Sequence, residues 1–334
     1  LPNRPNLGGE DPLSEIFRAV RFTRALYYTV NAAQPWPAIR VPSGTAIAGG
    51  LGQRTQNVLS YHVVVDGSCF TGLENGAPVK LERGDVVVYP RGDAYFLSAE
   101  VGPRESPADA AQIMGLLAGV ASGNLPSTFA FGPPEAEQTR FVCGFLGCDP
   151  RPFDPLLRAL PPMLTLRGAS GRLRHLVDLA LAEVDGAGGA SVRERLSESM
   201  FIETVRQHLA TLEPNQAGWL AGLQDPVVGR ALALLHGRPA ESWTVVSLAK
   251  EIGVSRSVLA DRFTKLVGQP PMQYLTGWRM QAAAHLLSGG TAKVSEVASE
   301  VGYDSEAAFS RAFKKATGAA PAAWRDGRTN QPPP

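Results

Sequence analysis

Two stretches of this chain follow one pattern a fixed distance apart, and that repeat constrains the fold more than any other feature. Leu248-Ala249-Lys250-Glu251-Ile252-Gly253-Val254 is echoed 49 positions on by Val297-Ala298-Ser299-Glu300-Val301-Gly302-Tyr303. Beyond the turn the offset becomes 50, matching Phe263 with Phe313, Lys265 with Lys315, Gly268 with Gly318 and Pro271 with Pro321. One extra residue in the second turn accounts for the change. Each copy reads as helix, turn, helix. A small residue (Ala249, Ala298) stands where the helices approach, and a glycine (Gly253, Gly302) where the backbone needs a positive φ. Leu248, Ile252, Val254, Leu259 and Phe263 form one small core; Val297, Val301, Tyr303, Phe309 and Phe313 form the other. In a helix-turn-helix the first helix braces the second, which enters the major groove of DNA. Each copy is trailed by Gly-x-x-Pro-x-x-aromatic (Gly268, Pro271, Tyr274; Gly318, Pro321, Trp324), so the match is specific.

Charge is distributed to suit. The net +1 of the 334 residues conceals an asymmetry. Residues 225–330 carry 13 Lys and Arg against 9 Asp and Glu, while the remainder carries 19 against 22. The basic excess thus sits with the repeat, as contact with phosphates requires. The length predicts more than one domain, and 44% apolar with 19% charged residues suits a soluble globular chain. Three cysteines without a CxxC pair fit a reducing compartment. No run of 18 apolar residues occurs, and Ile113–Ala121 is too short to span a bilayer. No signal pattern is visible, and the opening on Leu1 suggests a trimmed start. The expectation is a cytoplasmic protein with no membrane partner.

The N-terminal half has another texture. Residues 1–12 read as a mobile arm, and Leu13, Ile16, Phe17 and Val20 predict a helix over 12–24. From Ala25 to Leu146, short apolar runs such as Tyr61–Val65 and Asp85–Tyr89 alternate with the turn signals Asp66-Gly67, Glu74-Asn75-Gly76 and Pro90-Arg91-Gly92. That pattern predicts an antiparallel sandwich or barrel. Residues 100–111 read as a surface loop. Helical spacing returns at 173–184 and, after a Gly186–Gly189 break, at 192–209, which predicts an αα-hairpin. This hairpin either packs on the β domain or forms a dimer seam. A linker at 213–224 then leads into a helix at 227–235.

Residues 225–326 resemble the DNA-binding domain of the AraC/XylS family of bacterial transcription regulators. The carrying stretches are Ser247–Arg256, Pro271–Met280, Gly302–Lys315 and Gly318–Arg325. The resemblance implies two helix-turn-helix subdomains, joined by a long helix at about 272–287 and inserted into successive major-groove segments. Residues 10–165 are similar to the cupin-type effector domain fused to such regulators. That similarity rests on Gly84–Tyr95, which follows the pattern G-x5-P-x-G-x2-H, and on Arg140–Gly144 and Leu160–Met163. Tyr95 stands where the pattern places a metal-binding His. His62 is followed by Val64 rather than a second His, and Asp66 belongs to the next turn. Four ligands cannot be assembled from these residues. His62 and Cys143 could still meet inside with a third ligand, but no metal or cofactor is expected.

With the apolar positions turned inward, the recognition helices span about 255–266 and 305–316. The DNA-binding residues expected are Arg256, Ser257, Asp261, Lys265 and Arg279 with the first copy, and Ser305, Glu306, Ser310, Arg311, Lys314 and Lys315 with the second. Arg311 aligns with a base-contacting position of the family and suits a guanine edge. Lys265, Lys314, Lys315 and Arg279 are expected on phosphates. Ala260 and Asp261 fall where the family places a reader, and an acid there suits a cytosine amino group. Tyr61, His62, Tyr95 and Cys143 are the effector-pocket candidates. His175, His208, His236 and His285 are scattered over predicted helices, and no nucleophile–base pair, phosphate loop or GxSxG elbow occurs.

The chain is therefore expected to be multidomain. It comprises a cupin-like antiparallel β-barrel over 10–165, a helical linker and dimerisation segment over 166–224, and an all-α domain with two helix-turn-helix motifs over 225–330. The expected function is non-enzymatic: a sequence-specific transcription regulator that binds promoter DNA as a homodimer under a small effector, contacting RNA polymerase if it activates. The alternatives are a cupin metalloenzyme fused to a DNA-targeting domain, and a regulator controlled by protein contacts alone.

Overall fold

The computed structural model describes residues 12–19, 22–36, 38–51, 55–101, 119, 128–148, 154–169, 171–182, 188–212, 218–288 and 291–326. The expected arm at 1–12, the loop at 100–111, the stretch 113–121 and the start of the linker at 213 lie wholly or largely outside them, as do residues 186 and 187 of the break at 186–189.

Through the first half the elements run α1 (Pro12–Ala19), β1 (Phe22–Ala33), β2 (Ile39–Val41), α2 (Gly44–Ile47), β3 (Asn57–Asp66), β4 (Ser68–Leu73), β5 (Val79–Glu82), β6 (Val86–Tyr89), β7 (Tyr95–Ser98), β8 (Thr128–Phe131) and β9 (Gln138–Cys148). Then follow α3 (Pro155–Ala159), β10 (Leu164–Leu166), α4 (Arg172–Ala182), α5 (Gly189–Thr211), α6 (Trp219–Gln224), α7 (Val228–Gly237), α8 (Val245–Ile252), α9 (Arg256–Val267), α10 (Pro271–Ser288), α11 (Val294–Glu300), α12 (Glu306–Thr317) and α13 (Pro321–Arg325). They form two compact units. One gathers the described residues within 22–150 and 160–211; the other gathers those within 1–21, 151–159 and 212–334.

The sheet unit has a six-stranded sheet in the order β10-β6-β3-β9-β1-β8 and a four-stranded sheet in the order β2-β7-β4-β5. Side chains alternate across each strand, so every second residue faces inward. Leu26, Tyr28 and Val30 of β1 and Phe141, Cys143 and Phe145 of β9 meet Val41, Cys69, Leu81 and Leu97 of the smaller sheet in one apolar core. The expected barrel appears here as two facing sheets, because among the described residues no ladder joins their edges. The edge strands β2, β5, β8 and β10 are three or four residues long. So short a strand leaves little ladder with which to wrap round. The pairing also departs from strict antiparallel order, since β1 and β8 run parallel.

The outward face of the larger sheet is covered by α5. Phe22 meets Phe201 edge to face at 5.7 Å, and the Tyr61 hydroxyl donates to Ser197 Oγ at 2.8 Å. Of the two readings of the α4–α5 hairpin, packing on the β domain is thus observed within this unit. Leu179 and Val192 remain 48% and 40% exposed.

In the helical unit α1 packs on α7 and α10. The helix predicted over 12–24 stops at Ala19, because the chain enters β1 and pairs there with β9 from Phe22 onward. The shared helix α10 organises the rest. Its first half gives Tyr274 and Trp278 to a core with Phe263 and His236: Trp278 stacks on His236 at 3.9 Å, and Trp219 Nε1 donates to the Tyr274 hydroxyl at 3.2 Å. Its second half gives Met280, Ala283, Ala284 and Leu287 to a core with Val297, Val301, Phe309, Phe313 and Trp324. Burying each such large side chain contributes about 1.5–3 kcal/mol. Among the described residues no helix is long and apolar enough to cross a membrane.

Candidate nucleic-acid interface

Both copies of the repeat turn on a left-handed glycine. Thr244 and Ser247 form a reciprocal capping box on α8, which closes at Gly253 with φ +75°. Helix α11 closes through Val301 and Gly302, whose φ is +81°. The turns share one hydrogen bond, Val254 N–H to Ala249 O at 3.0 Å and Tyr303 N–H to Ala298 O at 2.9 Å. Asp304 is the extra residue. Ser255 then caps α9 by accepting from the Val258 N–H, and Ser305 caps α12 by accepting from the Ala308 N–H. Such caps satisfy amide donors that the first helical turn leaves free.

The second helix of each copy buries the same two positions, Leu259 and Phe263 in α9 and Phe309 and Phe313 in α12. The opposite faces are exposed. On α9 that face carries Arg256, Ser257, Asp261 and Lys265; on α12 it carries Glu306, Ala307, Arg311, Lys314 and Lys315, with Ser310 half-buried. Ser305 is exposed at the α12 N-terminus, where its hydroxyl serves as the cap. Arg256, Lys265, Arg311, Lys314 and Lys315 form no ion pair among the described residues, so these cations face solvent uncommitted. Val258 also reaches solvent, 46% exposed.

Two arginines lie otherwise than their charge suggests. Arg262 of α9 binds Asp225 through Nε at 2.8 Å and Nη2 at 2.7 Å. Asp225 also accepts the Val227 and Val228 N–H groups at the start of α7. Burial would raise the Asp225 pKa, but these donors and the guanidinium charge outweigh it and hold it below the usual carboxylate range. Arg279, expected on a phosphate, is half-buried and donates to three carbonyls: Pro239 O at 2.7 Å, Glu241 O at 2.8 Å and Gly302 O at 3.1 Å. Its fork is filled by the protein's own backbone.

In the sheet unit, three of the four expected pocket residues meet. His62 Nε2 lies 2.6 Å from the Tyr95 hydroxyl and Nδ1 lies 3.0 Å from Cys143 Sγ. Tyr95 stacks on Tyr89 at 3.8 Å. Burial pushes the His62 pKa down to about 3 and the Cys143 thiol up, which makes this a neutral cluster inside the core. Tyr61 does not join it. Neighbouring strand residues point to opposite faces, so Tyr61 stands on the outward side beneath α5, its ring against Gly144. Among the described residues no three His, Cys, Asp or Glu side chains converge as metal ligands would. A separate open groove of about 530 Å³ runs beside β3, lined by the Val63–Val65 stretch and by Arg83, Arg174 and Asp178. Neither arginine forms an ion pair among the described residues.

Residues 11–210 match the family described as Cupin, and residues 248–327 match the family described as Helix-turn-helix domain. The chain is 31% identical to an AraC-like transcription regulator of Streptomyces lividans over 94% of its own length and 98% of the relative's. It is 28% identical to the HTH-type transcriptional regulator AlkR of Acinetobacter baylyi over 91% and 95% of the two chains. Among solved structures, the DNA-binding domain of AdpA in complex with a target DNA is 32% identical; the match covers 30% of this chain and 91% of that one, with a TM-score of 0.29.

Proposed function

The chain belongs to the AraC-like transcription regulators, with a cupin-type domain ahead of a helix-turn-helix domain, and we propose that it binds promoter DNA through two recognition helices, α9 and α12, under the control of a small effector. The observation that carries this reading is the repeat itself. Two helices cap, turn and bury the same positions, and each offers unpaired cations on the face away from its core. Such a pair would enter successive major-groove segments about one helical turn apart, roughly 10 base pairs centre to centre. The α4–α5 hairpin, with Leu179 and Val192 exposed, is the surface on which a homodimer would form, and RNA polymerase is a further partner if the output is activation.

Footprinting of the full chain on genomic fragments tests the two-helix reading. The expected result is two protected segments on one face of the duplex, with binding that weakens steeply as salt rises. A single protected segment would restrict the activity to one helix-turn-helix.

For the effector we favour the open groove over the interior. The interior around His62, Tyr95 and Cys143 is occupied by stacked rings. The groove has a volume typical of small-ligand sites, and the guanidiniums of Arg83 and Arg174, which form no ion pair among the described residues, outnumber the one carboxylate that lines it, Asp178, which suits an organic acid. A thermal-shift series with aliphatic and aromatic carboxylates and their matching alcohols checks this. Acids should stabilise the full chain by mass action, alcohols should not, and a double Arg83→Ala/Arg174→Ala variant should lose the effect. An equal shift in that variant would place the seat elsewhere. The metalloenzyme alternative would require His62 to surrender its bond to Tyr95 or to Cys143.

A further inference from the structure

We propose that Arg279 is the positioning residue that fixes the distance between the two recognition helices, so that the chain accepts only one spacing of its two DNA segments. The proposal rests on the reading that both α9 and α12 engage DNA. Arg279 stands midway along α10. On one side of it Tyr274, Leu275 and Trp278 are buried in the first copy; on the other Met280, Ala283, Ala284 and Leu287 are buried in the second. A single shared helix would leave each copy free to rock about it. The guanidinium closes that freedom, because two of its donors hold the segment Pro239–Glu241 that leads into α8, while a third holds Gly302 in the turn before α12. The Arg279 guanidinium also lies over the Tyr303 ring, 5.8 Å from its centroid.

The two segments touch directly as well. A Cβ added at Gly302 would fall 2.5 Å from Ala240 O and 2.8 Å from Ala240 Cα, so only glycine lets the second turn seat on the first copy. At the equivalent Gly253 nothing lies within 4 Å. Three converging carbonyls match the planar, multi-donor fork of arginine; a lysine ammonium on a flexible stem cannot span them. Burial pulls the Arg279 pKa down from its ordinary value, as expected of a cation held within a joint rather than offered to solvent.

The experiment uses the full chain and the duplex recovered by footprinting, with one base pair inserted or removed between the two protected segments. Each such change shifts one segment by about 3.4 Å along the axis and turns it by about 35°. The wild type should bind the altered duplexes at least about tenfold more weakly than the parent. Arg279→Met and the milder Arg279→Lys should both compress that ratio to below about threefold while weakening binding to the parent. Circular dichroism confirms that each variant is folded, and if Arg279→Met is not, Arg279→Lys decides alone. A phosphate contact predicts something else: Arg279→Lys behaves as wild type, and Arg279→Met weakens every spacing equally and lowers the salt slope by about one. That outcome, or a spacing ratio unchanged in both variants, overturns the positioning role. If the wild type itself protects one segment and ignores spacing, the two-helix reading has failed, and the proposal fails with it.

Discussion

The first and second copies of the repeat are built on the same buried positions, yet they are secured by different means. Leu259 and Phe263 in α9 take the places of Phe309 and Phe313 in α12, and serines cap both helices. Outside those positions the copies part. The first is tied from its flank, where Arg262 binds Asp225 at the start of α7; the aligned residue in the second copy is Ala312. The second is tied at its turn, where Gly302 rests on Ala240 and Arg279 holds the Gly302 carbonyl. The exposed faces differ too. Asp261 sits centrally on α9, whereas Arg311 occupies the equivalent place on α12, with Lys314 and Lys315 beyond it. A repeat thus preserves what makes it fold, and the positions released from packing are those that acquire separate work.

The two turn glycines give the sharpest way to break this comparison. Both have a positive φ, so alanine at either costs about 1–2 kcal/mol of backbone strain. Only at Gly302 does the new methyl also collide with backbone, that of Ala240. Forcing extra volume into a filled space adds roughly 1–3 kcal/mol. Gly253→Ala should therefore cost about 1–2 kcal/mol and Gly302→Ala about 2–5 kcal/mol. Urea unfolding followed by tryptophan fluorescence measures both, since Trp219, Trp243, Trp278 and Trp324 all lie in the helical unit. Equal losses would mean that the second turn is not seated on the first copy.

Such differences also mark where sequence reasoning reaches and where it stops. The helix pairs, their glycines and their aromatic cores were legible because buried residues recur at spacings that geometry dictates, and α9, α10 and α12 begin and end within a residue or so of expectation. Features that depend on distant partners were not. Arg279 has no local signal, because the carbonyls it holds lie 40 and 38 residues before it and 23 after. Barrel or sandwich turns on edge pairing, which no strand records in its own sequence. Tyr61 is a different case. Adjacent strand residues cannot share a face, so period-two alternation alone already separates it from His62.

The exposed faces of α9 and α12 carry the smaller prediction, and it bears on the proposed function rather than on folding. Arg311 is exposed and central on α12 and forms no ion pair among the described residues, a placement suited to a bidentate bond with a guanine edge. Arg311→Ala should cost about 1–3 kcal/mol of specific binding and relax the sequence preference of one DNA segment. Asp261 is equally exposed on α9, but a carboxylate there can accept from a cytosine amino group at best and otherwise repels phosphate. Asp261→Ala should therefore change affinity by less than about 1 kcal/mol, and it tightens binding if repulsion is the larger effect. The measurement is Kd at one fixed salt concentration on the footprinted duplex and on duplexes scrambled in either segment. Scrambling the segment read by α12 should hurt the wild type more than scrambling the other, and Arg311→Ala should erase that inequality. If Arg311→Ala proves harmless while Asp261→Ala is decisive, the division of labour runs the other way: the first helix reads bases, and the cations of α12 serve only to hold the backbone.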